Sequence, residues 1–504
     1  MMFHNTITTA TMAMLLSATA VFAQQEPPSV TLFKNVMVFD GTTDGLLDRD
    51  VLVVGNKIHA VAEDIPEAGT WEVEAGPTGP LYSSVYSSAN GGGSGYTFIV
   101  DGERGQTTVE LSPKVIDGGG RTLMPGLIDS HVHLYLTMDQ GRVGMESSRW
   151  DTMTSYGAAS ALEWFHDGFT TVRDMGGMAN GLQQVIDKGL IEGPRIYLSG
   201  GTISQTAGHG DMRLESQSEP EYSSLVRNGM THIADGPQEV RKAVRKNFGM
   251  GATQMKIMMA GGIASKASPF ASGQFTDEEI LAAVDEAASR GTYVAAHLYL
   301  DEHIKRALDL GVMSIEHGQF LSEETAMLMK EKGAFIASFL ASVQSDAILT
   351  HPVYGKPGTF EAARTIMMKE GSAGFVDVIR RVKPNLVFAS DIPSANGMAA
   401  RHQRDHEKWI FADSFGNFEA LKALTSMGGE LAMLTGDLNP YPSKLGVIEE
   451  GAYADILLVD GNPLEDIAVI GGNSKWFDAE RRMRGIETIN LIMKDGVIYK
   501  NTLD

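Results

Sequence analysis

The chain has 504 residues with 43% apolar and 21% charged side chains, ordinary globular usage that excludes wholesale disorder and a polytopic membrane protein. Asp and Glu outnumber Lys and Arg by 63 to 41, a formal charge of −22, which sets aside nucleic acid and an anionic membrane surface as partners. Cysteine is absent, so disulfides, a thiolate nucleophile and thiolate metal ligands are excluded, and any metal must be held by nitrogen and oxygen.

In chain order, residues 1–23 carry no Asp, Glu, Lys or Arg, and the apolar run 12–22 closes in Val21-Phe22-Ala23, a small-x-small cleavage pattern. The run is too short to span a bilayer, so the expectation is a signal peptide cleaved after Ala23 and a periplasmic or secreted mature chain. Residues 30–39, 50–54 and 58–61 are short β-branched runs with a Gly55-Asn56-Lys57 turn, and 454–459 and 491–499 have the same character at the far end. Both termini are therefore predicted to build one small β-sandwich, from 24–124 and 436–504. Its Gly-, Ser- and Pro-rich stretch 76–105 has loop composition and reads as an insertion.

Between them, 125–435 alternates strand-like and helix-like segments. Strand candidates are 127–133, 169–174, 195–199, 254–259, 293–298, 313–318, 334–340 and 386–391. A capping box, Thr276-Asp277-Glu278-Glu279, opens an apolar helical pattern at Ile280. Eight strands joined by helices predict an α/β fold, a (β/α)8 TIM barrel, whose site lies at the C-terminal strand ends.

Those ends are where the unusual residues fall. Strand one finishes Asp129-Ser130-His131-Val132-His133, and period-two alternation turns both imidazoles to one side. Strand four carries Lys256 in an apolar run, strand five ends at His297, strand six at Glu316-His317-Gly318 and strand eight at Ser390-Asp391. Singly, each is as well explained as a satisfied core or rim residue, and the lysine by snorkelling. Coincidence at five strand ends points jointly to a metal site.

These residues, with Asn35 to Gly41, the Met124-Pro125-Gly126 lead into strand one and the closing Leu445 to Asp455 segment, resemble the binuclear branch of the amidohydrolase superfamily. The resemblance implies two divalent ions, with zinc the expected metal. It implies His131 and His133 on one, His297 and His317 on the other, Lys256 bridging both as a carboxylated lysine, and Asp391 on the first ion beside a bridging hydroxide. Ser204 to Asp211 after strand three and Lys256 to Gly262 after strand four are similar to the prolidase-like and carboxypeptidase-like dipeptidase group. The resemblance then implies that hydroxide attacks an amide carbonyl, that Asp391 moves the proton, and that His209 polarises the carbonyl or holds the oxyanion. Expected substrates are dipeptides, short peptides cut at the C-terminal residue, or N-acyl amino acids, including aryl amides of the ochratoxin kind. A homo-oligomer, up to an octamer, is implied as well.

Arg213, Lys266 and the loop 264–274 are candidates for meeting a substrate carboxylate, since a cation is its natural partner. His59, His166, His232, His303, His351, His402 and His406 match no such position and read as structural, although the polar run holding the last two could reach the mouth. Two alternatives stand beside the amide hydrolase: an ester, lactone or carbamate hydrolase using the same centre, and a non-catalytic binding protein on a relic barrel. Retention of Asp391 argues against the relic, because binding alone needs no proton shuttle.

Overall fold

Val30–Lys34 pairs antiparallel with Asp50–Val54, and its period-two alternation sorts the side chains onto two faces. Phe33, Val51 and Val53 point into one apolar cluster, Leu32, Leu52 and Val54 into another. A second sheet, ordered Val497–Asn501, Ile489–Lys494, Ile456–Val459, Thr122–Pro125, Met37–Val38 and Leu47–Asp48, brings Leu123, Ile456, Leu458, Leu491 and Met493 into the first cluster. The two sheets are the sandwich expected from both termini. On its other face the second sheet packs Met124, Leu457, Val459, Ile489 and Ile492 against the large core of the barrel.

The computed structural model describes residues 29–503 except 68, 75–82, 89–95, 102–106, 112, 137–140, 353, 394–397 and 483–484, and side chains outside 68–112, 137–142, 353, 393–399 and 483–484. The leader-like residues 1–23 lie outside this set. Within the expected insertion the loop reading needs correction. Gly69–Glu74, Ser83–Ser88, Tyr96–Asp101 and Thr107–Leu111 form a four-stranded sheet of their own, because Thr-, Tyr- and Val-bearing segments pair even when Gly-rich runs separate them.

Among the described residues, eight barrel strands run Leu127–His133, Phe169–Asp174, Arg195–Leu198, Met255–Met258, Val294–Leu300, Ser314–Phe320, Phe335–Ser338 and Asn385–Phe388, all close to their expected bounds. Pairing is parallel within strands one to three and within strands four to eight. The two arcs meet where Thr253 N–H donates to Leu198 O at 2.8 Å. They meet again where Ile392–Pro393, continuing strand eight, pairs with Val132 and His133. Helices such as Asp277–Ala288 follow the strands, and the capping box forms as expected, with Thr276 and Glu279 satisfying each other's backbone N–H. Gly126 marks the passage from sandwich to barrel. A Cβ there would lie 2.0 Å from the Thr170 hydroxyl, so only glycine lets strand one approach strand two.

A buried charge network fastens the C-terminal segment to the barrel. Arg404, from the helix Met398–Phe415, meets Asp167 at 2.5 Å, Arg482 meets Asp167 and Asp405, and Lys408 donates to Ile470 O at 2.9 Å. Asp167→Ala would leave the fully buried Arg404 guanidinium without its partner carboxylate. The expected loss is about 3–5 kcal/mol of unfolding free energy, measured by denaturant titration; a loss below about 1 kcal/mol would show that the network is dispensable.

Candidate metal centre

At the C-terminal strand ends His131 Nε2, His133 Nε2 and an Asp391 carboxylate oxygen stand 3.3–3.4 Å apart. Lys256 Nζ is 3.4 Å from His131 Nε2. Ligand bonds of roughly 2.0–2.1 Å in tetrahedral array give edges of about 3.3–3.4 Å, so the three donors fit one divalent ion without rearrangement. Across the site His317 Nε2 and His297 Nδ1 face each other at 2.8 Å, and His317 Nδ1 lies 3.7 Å from the second Asp391 oxygen. A candidate His/Asp metal site is therefore present, with a second imidazole pair beside it.

Backbone geometry sets these positions. Asp391 has φ +48° and His317 φ +79°, left-handed conformations costing roughly 1–2 kcal/mol each in a residue with a Cβ. Asp391 is held there by its own N–H to His131 O at 2.9 Å, and by its neighbour Ser390, whose hydroxyl and N–H both donate to Asp129. Trp164 Nε1 and the His131 N–H also donate to Asp129, which locks strand eight onto strand one.

The charge pattern favours ligands over cations. Burial first, then the Lys256 ammonium, push His131 down to about 3, and burial with its His317 neighbour does the same to His209. His317 falls to about 4 and His297 well below its usual value, both chiefly through burial, so the imidazoles are neutral with lone pairs to offer. Glu316 holds His131 from behind: its carboxylate is 2.7 Å from His131 Nδ1 and 2.7 Å from Arg173. Burial opposes the ionisation of Glu316, but Arg173 and His131 outweigh it and keep the group well below the carboxylate range. A carboxylate on the rear nitrogen fixes the tautomer that leaves Nε2 free for a metal.

His209 stacks on His297, with ring centres 3.9 Å apart and planes 13° off parallel. Among the described residues its Nδ1 is buried without a protein partner, and Gly262 sits against the ring so closely that a Cβ would lie 2.1 Å from it. Arg364 holds that glycine's loop through Gly262 O and Ser265 O. Gly262→Ala should therefore displace His209 with little change to the fold. We expect kcat/KM to drop about 10²-fold at unchanged melting temperature, the scale of an ångström-sized misplacement; activity within twofold of wild type would remove His209 from the reaction.

His131, His133, His209, Lys256, His297, His317 and Asp391 open into one cavity of about 520 Å³. Much of its wall is apolar, including Met145, Met212, Met230, Met258 and Met368.

The sequence profile of the amidohydrolase family matches residues 122–499. The chain belongs to that family. Ochratoxinase of Aspergillus niger is 31% identical over 368 residues, which span 69% of this chain and 72% of the relative. Among solved structures, an amidohydrolase aligns over 94% of this chain and 100% of its own with a TM-score of 0.75 and 31% identity. A prolidase complexed with N-methylphosphonate-L-proline aligns over the same shares with a TM-score of 0.74 and 29% identity. The protein is thus a hydrolase acting on amide or peptide bonds, in a family that binds divalent metals.

In this amidohydrolase the tertiary structure brings together His131, His133, Lys256, His297, His317, Asp391 and His209. It does not bring Arg213 or Lys266 with them. Arg213 pairs with Asp211 and donates to Ser218 O, and the exposed Lys266 pairs with Glu215, so each cation already has an acidic partner away from the cavity wall. His351, read as structural, accepts from the Tyr354 N–H at 3.2 Å and also lines the cavity. His402 and His406 remain outside it: His402 bonds Glu480 O, and the buried His406 bonds Asn473 O and Ser345. Sequence reasoning missed the roles of Glu316, Asp129 and Arg173. The one available signal was a charged residue within a predicted barrel strand.

Proposed function

We propose that the protein hydrolyses the amide bond of N-acyl amino acids or short peptides at the C-terminal residue, using two divalent ions, with zinc as the expected metal. The observation that carries this reading is the tetrahedral-edge spacing of His131, His133 and Asp391, with Lys256 beside them and His297 and His317 opposite. The ochratoxinase and prolidase relatives support it. Ions held there would lower the pKa of water and polarise the carbonyl. Lys256 supports a carbamate role: a permanently protonated amine among four imidazoles is a poor metal neighbour, and burial pushes it down to about 8, where the neutral form that takes up carbon dioxide is accessible. The Asp391 carboxylate accepts the proton of the attacking water and passes it to the leaving nitrogen. His209, neutral and aimed into the cavity, donates to the developing oxyanion. The same proposal keeps the mature chain outside the cytoplasm, on the leader-like 1–23.

The test is turnover of matched pairs, an N-acyl amino acid and its ester analogue, by the zinc-loaded protein. Release of the free amino acid from the amide is expected. Cleavage confined to the esters would replace this reading with the ester or lactone hydrolase.

A further inference from the structure

The cavity wall is not built by the barrel alone. Trp476 and Phe477, from the chain that returns to the sandwich after strand Ile456–Val459, lie on it together with His351, Tyr354 and Phe339. Trp476 is 2% exposed and stacks on Phe477, ring centres 4.8 Å apart and 10° from parallel. On its other contacts Trp476 stacks with His406 at 5.4 Å, and His406 in turn with Trp409. The stack ends on Phe477, whose ring is 43% exposed and meets His351 edge-on at 5.5 Å. An aromatic row that terminates on a half-exposed ring at a cavity is a surface for another planar group.

The row is held in place from both sides. Asn473 N–H donates to Asp405 O at 2.9 Å, and His406 Nδ1 is 3.1 Å from Asn473 O. Beyond it, Arg482 is clamped by Asp167 and Asp405. The segment 473–482 is thus a strap, pinned at each end to the helix that follows strand eight, with its two aromatic rings on the site. Pinning matters because a stacking platform loses affinity to its own ordering unless it is ordered beforehand.

We propose that this strap is the specificity element of the enzyme, with Phe477 and Trp476 as its specificity-determining residues, and that it selects substrates whose acyl group is a planar aromatic ring system. The inference rests on the amide-hydrolase reading only for which end of the substrate is named. None of Trp476, Phe477, His351, Tyr354 and Phe339 carries a permanent charge, so this wall suits the apolar acyl end and not the amino-acid carboxylate.

The probes are dansyl-glycine and methanesulfonyl-glycine, which share a sulfonamide and a carboxylate and differ in the ring system. Isothermal titration into the zinc-loaded full chain should show dansyl-glycine bound at least tenfold more tightly. Phe477→Ala should cut that ratio below threefold, with methanesulfonyl-glycine within twofold of its wild-type affinity, and Phe477→Tyr should restore the preference. Trp476→Leu, checked for folding by near-ultraviolet circular dichroism, should act like Phe477→Ala. Equal affinities in the wild-type protein, or a preference that survives Phe477→Ala, would overturn the proposal. Neither probe has an amide to cleave, so absence of amide turnover would remove the proposed function and leave this comparison to stand or fall by itself.

Discussion

Asp391→Asn is expected to lower kcat for amide hydrolysis by roughly 10²–10⁴-fold, the usual contribution of positioned acid–base help, while KM changes less. Burial works against ionisation of Asp391, but the neighbouring His131 and His133 outweigh it and hold the carboxyl well below its ordinary range, so it is a carboxylate at neutral pH. One of its oxygens faces His131 and His133 at 3.4 Å and the other lies 3.7 Å from His317. The asparagine keeps the size, one ligand oxygen and the backbone N–H to His131 O, so fold and at least one bound ion should survive. It cannot take a proton. The measurement pairs kcat with metal content in one preparation. Near wild-type kcat with both ions bound would pass the proton transfer to another group, with His209 the nearest candidate.

Lys256→Ala should lose metal and activity together. Lys256 is 1% exposed, its nitrogen is 3.4 Å from His131 Nε2, and its charge depresses the neighbouring imidazoles. A lysine that only packed there would give an alanine variant with better metal affinity, since removal of a cation favours a divalent ion. A lysine that bridges as a carbamate gives the opposite sign. We expect wild-type protein to hold two ions per chain by elemental analysis and the variant to hold fewer. Its kcat should fall at least by the roughly 10²–10³ lost with a single electrostatic donor. Partial rescue by formate, acetate or propionate identifies the missing ligand as an anionic oxygen pair. Full metal content and turnover in Lys256→Ala would rule out the bridge, and retained metal with lost turnover would move Lys256 to substrate binding.

Much of this site was legible because each of its residues breaks the pattern of its own strand. A histidine, lysine or aspartate at the end of an apolar run is visible without coordinates, and the barrel periodicity says that such ends converge. The strands were recoverable from runs such as Val294–Leu300, apolar but for His297 and buried at all but its last residue, as burial on both faces demands. Residues that act on the ligands from behind were not legible in that way. Glu316 is adjacent in sequence to His317 yet serves His131, a relation set by the alternation of strand six and its distance across the barrel.

The chain alone determined the class of chemistry. Without cysteine and with His131, His133, Lys256, His297, His317 and Asp391 at strand ends, only a nitrogen- and oxygen-ligated centre was open to it. The tertiary structure decided which cations face the cavity, removing Arg213 and Lys266 by pairing them with Asp211 and Glu215. It also decided what walls the site: Trp476 and Phe477 lie far along the chain from strand one and line the same cavity, on a strap that Arg482 ties to Asp167 and Asp405. Local sequence sets the conformation of a strand and the side its residues take, whereas the pairing of charges from distant segments depends on burial, and burial exists only once the chain has folded.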